Sequence, residues 1–331
     1  MTMPRWMRAA AATGAVAAAA TLGPMGVAVQ SAGAIDCYDT RSSTSPWYDG
    51  PSASVRYDQN FNKGFRIPQA LYDGNGVPQG LTVLNNWNGT GQDLFLVSAY
   101  DDDDHDKSPD GDSVIYAVVA GEGTVRGSFR ILEGKAGGLA VAGGYLHVAN
   151  TNEVRSYALS RVKDAIRDGG YLTYDRKTDD GWASWVAADD GAVWVGNFDE
   201  DSRSWMHRRP VNADGSLGAA GSRVQVPMKA QGMAATSGHF IFSTSYGQFN
   251  RSNIYVVERG YGEQLENRPL TCFRAPTMAE DVVIWNANDA ASRFYVIYES
   301  KANTYLEGLN PDNEIDHAHW ANVSDLTALV P

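Results

Sequence analysis

The 331-residue chain has two cysteines, Cys37 and Cys272, and a shortage of cationic side chains, 27 Lys and Arg against 39 Asp and Glu. It also lacks the short motifs of the common enzyme classes. The cysteine count excludes a disulfide-rich scaffold and a multi-cysteine metal centre. A formal charge of −12 opposes phosphate backbones and anionic lipid, so nucleic acid is not an expected partner. There is no HExxH, no GxSxG, no phosphate loop and no dinucleotide fingerprint. Beyond the first thirty-odd positions no run is apolar enough to span a bilayer.

The N-terminus reads as a leader. Residues 1–34 carry Arg5 and Arg8, an Ala-rich stretch, a break at Gly23-Pro24, and Ala32-Gly33-Ala34, which fits cleavage by signal peptidase after Ala34. The expected mature protein is exported, with no membrane association after cleavage, and carries 25 Lys and Arg against 39 acids, a formal −14. In an oxidising compartment Cys37 and Cys272 are expected to pair. A bridge across so long a stretch of chain contributes on the order of 4 kcal/mol, less any strain.

Five segments share one pattern: "PQGLTVL" with "DLFLVSAYD", "AGGLAVAG" with "YLHVANTNE", "WASWVAADD" with "AVWVGNFDE", "QGMAATSG" with "HFIFSTSYG", and "AEDVVIWNAND" with "RFYVIYESK". Each is a small or polar opening, an apolar strand, a turn rich in Gly, Asn or Asp, and a second strand. The turns Gly143-Gly144, Asp189 to Gly191 and Ser237-Gly238 have hairpin chemistry. Third strands follow at "SVIYAVV", "EVRSYAL", "SWMHRRPV", "SNIYVVE" and "ANTYLEG", and more polar fourth strands at "GSFRILE", "YLTYDRK", "SRVQVPM" and "PLTCFRA". The openings Gly80, Gly138, Ser184, Gly232 and Asp281 recur every 46 to 58 residues, a blade-sized period. The expected fold is all-β, a five-bladed β-propeller of four-stranded antiparallel blades over residues 76–331, preceded by an N-terminal arm over 35–75. In the arm, Ser52 to Tyr57 reads as a strand, and the C-terminal "HAHWANVSDLTAL" as the outer strand of blade five.

The stretches "VPQGL", "FSTSYG" with "RSNIY", and "PTMAEDV" with "YESKANTY" resemble secreted actinobacterial proteins of the β-propeller class. The resemblance implies the fold and an extracellular setting, and no activity, since a fold does not transmit a function.

In a propeller the starts of first strands and the ends of second strands crowd one face. That face would gather Gln79, Gln231 and Glu280 at the channel mouth, with Tyr100, Asp101, Asn150, Asn197, Asp199, Tyr246 and Glu299 just outside, a default binding site. Glu280 is the carboxylate expected nearest the axis. Blade three is dense in tryptophan, with Trp182, Trp185, Trp194 and Trp205. These suit sugar stacking beside Asn and Asp, or packing between blades. The run "DDDDHDKSPDGDS" at 101–113 alternates Asp102, Asp104 and Asp106, with Asp110 and Asp112 beyond a Pro turn. This is a candidate oxygen-rich calcium loop, although Lys107 stands where an EF-hand needs Gly. The alternative is a solvated acidic loop. His317 and His319 share a strand face as a lesser metal candidate.

Three readings follow. One is a propeller that binds a glycan or surface polymer at the channel mouth. The others are a glycosidase- or lactonase-like hydrolase using channel-mouth carboxylates, and an adaptor that binds a protein. Calcium is the one cofactor the sequence suggests.

Overall fold

The structure is a computed structural model and describes residue 37 and residues 40–331, apart from 90, 107, 133 and 287–290. The expected leader over 1–34 and Lys107 lie outside the described residues.

Five inner strands, Gly76–Leu84, Gly138–Ala142, Trp185–Asp189, Ala230–Ala235 and Ala279–Trp285, stand side by side, and the fifth packs beside the first to close a ring. Each begins a small, mainly antiparallel sheet that runs outward in chain order, except that the outermost strand of blade five comes from the N-terminal segment. The alternation of the strands gives every blade two apolar faces, and these are buried between blades rather than within one. Leu96 and Phe129 of blade one pack with Leu139 and Leu146 of blade two. Val154 of blade two packs with Val193 of blade three. Trp185 and Trp194 pack with Phe240 and Phe242, Ile254 with Phe294, and Tyr295 with Phe95. The five clusters are the five blade-to-blade contacts, so no blade has a core of its own. This is the five-bladed β-propeller that the period implies.

Local chemistry sets the hairpins. Gly143 and Gly144, and Asp190 and Gly191, hold positive φ at both central positions, as the tightest two-residue hairpin turn requires. Blade two is built around a strand that doubles back. In Tyr145–Ala158 the first half pairs with the inner strand and the second with Arg176–Ala183. His147 Nδ1 lies 2.9 Å from Ser156 Oγ, whereas nine residues of straight strand would separate them by about 30 Å. The chain therefore reverses near Thr151, at φ 60°.

Several sequence expectations are corrected. The segment 52–57 is not a strand. Ser54 Oγ accepts from Tyr57 N at 3.1 Å and caps a short helix, Val55–Asn60, because a Ser that satisfies a free helical amide favours the helix over extension. "ANTYLEG" contains the helix Asn303–Leu306 instead of a third strand. His317–Asn322 is the third strand of blade five, and its outer strand is Phe61–Arg66 from the N-terminal segment, paired as Phe61↔Ala321. The ring is thus closed by strands from both ends of the domain. "YLTYDRK" is divided: Tyr171–Leu172 pairs in parallel with blade one, and Arg176–Ala183 supplies the outer strand of blade two after a helical insertion, Leu159–Asp168.

The bridge between Cys37 and Cys272 is formed. It fastens the chain start to the outer strand of blade four, Leu270–Thr277. Ser54 Oγ donates to Arg274 O at 2.7 Å further along the same strand.

Candidate functional site

The repeat position occupied by Gly80, Gly138, Ser184 and Gly232 in four blades holds Asp281 in the fifth. Its side chain is fully buried. Oδ2 accepts from Leu81 N at 2.8 Å and Leu139 N at 3.2 Å, and Oδ1 from Val282 N at 2.8 Å. One carboxylate therefore ties together the inner strands of blades one, two and five. A Cβ at Gly232 would overlap Asp281 Oδ1, so the glycine there makes room for the acid. Burial pushes this carboxyl upward, and the three amides oppose it. The sequence reading placed Glu280 nearest the axis; its neighbour Asp281 bridges three inner strands, while Glu280 joins Gln231 and Glu299 beside it. Asp281 was legible only as the odd member of a small-residue column.

Glu280, 3% exposed, accepts from Gln231 Nε2 at 3.2 Å and is hydrogen-bonded to Glu299. Gln79 Nε2 donates to Glu299 Oε2 at 2.9 Å. Two carboxyl groups in one hydrogen bond require a proton between them. Burial first, then the Glu299 charge, holds the Glu280 carboxyl well above the usual range, and Lys135 pulls the other way. The Tyr305 hydroxyl reaches Glu299, and Tyr305 and Tyr100 share a hydrogen bond. Lys135 Nζ sits 5.4 Å from the Tyr100 ring centre. Gln79, Tyr100, Gln231, Glu280 and Glu299 are thus brought into one network, and Lys135 and Tyr305 join it without having been singled out in the sequence.

Other sequence candidates lie apart from this network. Asn150 Oδ1 accepts from Lys135 N at 3.0 Å and holds the entry to blade two. Asn197 Oδ1 accepts from Ser184 Oγ at 3.1 Å. Asp199 Oδ1 caps the amides of Asp201 and Ser202, which holds its carboxyl below the ordinary value. Trp182 is 44% exposed, whereas Trp185 is fully buried and Trp194 nearly so. Tyr246 lies in a cleft between blades three and four. His319 is buried, with Nδ1 2.6 Å from the Tyr57 hydroxyl.

Tyr100 and Asp101 also line a groove of about 720 Å³ on the outer side of blade one. Its walls include Tyr116 and Tyr171, Asp103 and Asp112, and Arg130. Burial and the neighbouring Asp103 raise the Asp101 carboxyl. In the adjoining acidic loop, carboxylate oxygens of Asp102, Asp104 and Asp106 lie within 4.8 Å of one another. Asp110 turns to the Asp104 amide, accepting at 3.0 Å, and Asp112 faces the groove.

Ring, blades and channel make the chain a five-bladed β-propeller. Neither a protein-family model nor a curated protein sequence matches it. Among solved structures it is similar to hydrazine synthase of Kuenenia stuttgartiensis, at 12% identity and a TM-score of 0.40, over 67% of this chain. It spans 55% of that chain, and a likeness so limited says nothing about activity. Among the described residues, no helix is long and apolar enough to cross a membrane.

Proposed function

We propose that this protein is an exported binding propeller that takes a polyhydroxylated ligand, a glycan or surface-polymer segment, in the groove opening at Tyr100 and Asp101. The groove's composition carries the reading. Tyr116 and Tyr171 offer flat apolar faces, and Asp101, Asp103 and Asp112 offer acceptors for hydroxyl groups, the combination of apolar wall and few polar groups by which small-ligand sites orient their guests. Export is supported by the disulfide. Calcium fits the all-oxygen donor set of Asp102, Asp104 and Asp106 beside the groove, with its remaining ligands from backbone and water.

Binding is favoured over hydrolysis by the state of the acids. Glycosidase carboxyl groups stand open to the sugar they bracket, whereas Glu280 is 3% exposed and it and Glu299 already accept from Gln231 and Gln79 respectively. The test is affinity electrophoresis against xylan, arabinogalactan and chitin oligosaccharides. At least one is expected to retard the protein, Tyr171→Ala to weaken that by tenfold or more, and Glu280→Gln to leave it unchanged. Retardation by none of them counts against the proposal. Turnover of chromogenic glycosides or lactones, lost in Glu280→Gln, would assign a hydrolase instead.

A further inference from the structure

We infer a second binding site, in the cleft between blades three and four, that takes an organic oxyanion: a small polar molecule or polymer unit bearing a carboxylate, sulfate or phosphate. The cleft measures about 420 Å³, within the usual span of small-ligand sites. Arg203, Lys229, Arg251 and Arg274 line it, and among the described residues none of its lining side chains is acidic. This composition runs against a chain of formal charge −12. An anion in this partly dehydrated space is attracted by the four cations more strongly than it would be in bulk water.

The fold holds these cations in place. Thr244, Asn253 and Arg274 stand opposite one another on three adjacent strands of blade four. Asn253 Nδ2 donates to Thr244 Oγ1 at 2.9 Å, and Arg274 Nη1 donates to Asn253 Oδ1 at 2.9 Å. Arg203 is steadied by Glu266 at 2.6 Å, and Arg251 donates to the Ala53 carbonyl at 2.5 Å. Guanidinium groups fixed in this way meet carboxylate or phosphate oxygens with little ordering cost.

Lys229 contributes through its side chain rather than its backbone. It holds φ 64° immediately before the inner strand of blade four, a conformation that costs a residue with a side chain. Ala136 and Met278 take the same conformation before the inner strands of blades two and five, so the backbone bend belongs to the blade and does not call for lysine. The ammonium lies 4.5 Å from the ring centre of the half-exposed Tyr246. That ring gives the cleft an apolar wall, so the expected ligand has an organic body and is more than a bare ion. Acidic or phosphorylated sugars have this chemistry.

Isothermal titration of the full mature chain at fixed ionic strength in chloride tests the site with glucuronate, glucose 6-phosphate, inorganic phosphate, sulfate and, as the neutral control, glucose. Glucuronate or glucose 6-phosphate is expected to bind at least tenfold more tightly than glucose, and which one does distinguishes a carboxylate from a phosphate site. Arg274→Gln and Lys229→Gln should each weaken that binding tenfold or more, and Tyr171→Ala, in the blade-one groove, should not. Should Arg274→Gln fail to fold, Lys229→Gln decides. Equal affinity for glucose and its charged relatives, or full affinity in Lys229→Gln, overturns the proposal. Inorganic phosphate or sulfate binding as tightly as the organic anions overturns the requirement for an organic body. Loss of glycan binding in Tyr171→Ala with this site intact separates the two proposals.

Discussion

His147 lies buried in blade two with both ring nitrogens engaged. Nδ1 is 2.9 Å from Ser156 Oγ and Nε2 is 3.3 Å from the Ala142 carbonyl. A carbonyl only accepts, so Nε2 carries the proton and Nδ1 accepts from the serine hydroxyl. Burial holds this imidazole down at about 4, with the Ala142 carbonyl opposing. Between the ordinary histidine value and about 4, the unfolded chain binds a proton that the folded chain refuses. The stability present at neutral pH is therefore lost as the pH falls through that window and changes no further below it on this account. A displacement of this size corresponds to about 3 kcal/mol at most. His319, fully buried and also held below its usual value, adds a loss of the same sign. Urea unfolding at pH 7 and pH 4.5 is expected to show a smaller acid loss in His147→Gln than in the parent, by about 1–3 kcal/mol. Equal losses would place the acid sensitivity elsewhere.

At the scale of elements, the hairpins follow from residues that sit next to one another, whereas the elements at the two ends of the domain depend on what they dock against. Ser52 to Tyr57 reads as a strand in the sequence, and one serine cap together with the packing of Tyr57 on blade four makes Val55–Asn60 a helix. The loop at 101–113 presents the same division. Its acids are plain in the sequence, but which of them converge was decided by the turns that hold Asp102, Asp104 and Asp106 together, turn Asp110 to the Asp104 amide and leave Asp112 at the groove. Carboxylates held this close repel one another, and a divalent ion offsets that cost. At a hundredfold excess over the dissociation constant, calcium would add about 2.7 kcal/mol to the folded state. The expected outcome is a melting temperature about 5 °C higher in millimolar calcium than in chelator, with magnesium weaker. Asp104→Asn with Asp106→Asn should remove most of that shift. The same rise with sodium at matched ionic strength would mark the loop as a solvated charge cluster.

At the scale of the whole molecule, the propeller is held closed in two places: by Phe61–Arg66 lying along His317–Asn322, and by the bridge from Cys37 to Cys272, 235 residues apart. A cross-link over so long a loop removes unfolded-chain entropy equivalent to about 4 kcal/mol. Cys37→Ala with Cys272→Ala is therefore expected to lower unfolding stability by a few kcal/mol while keeping the strand content seen by circular dichroism. An unchanged denaturant midpoint would show that the strand closure alone carries the ring. The sequence by itself determined the repeat, the number of blades, the hairpin turns and the cysteine pair, because strand alternation and turn chemistry are written within a few residues of one another. The tertiary structure alone decided that Asp281 ties three inner strands together, that Glu280 and Glu299 join one buried network, and that the first strand completes the last blade. Those contacts join residues such as Leu81 and Asp281, 200 positions apart, and Gln79 and Glu299, 220 apart. Which side chains meet across such distances is fixed by the register of the blades once the ring has closed, and no local pattern encodes that register.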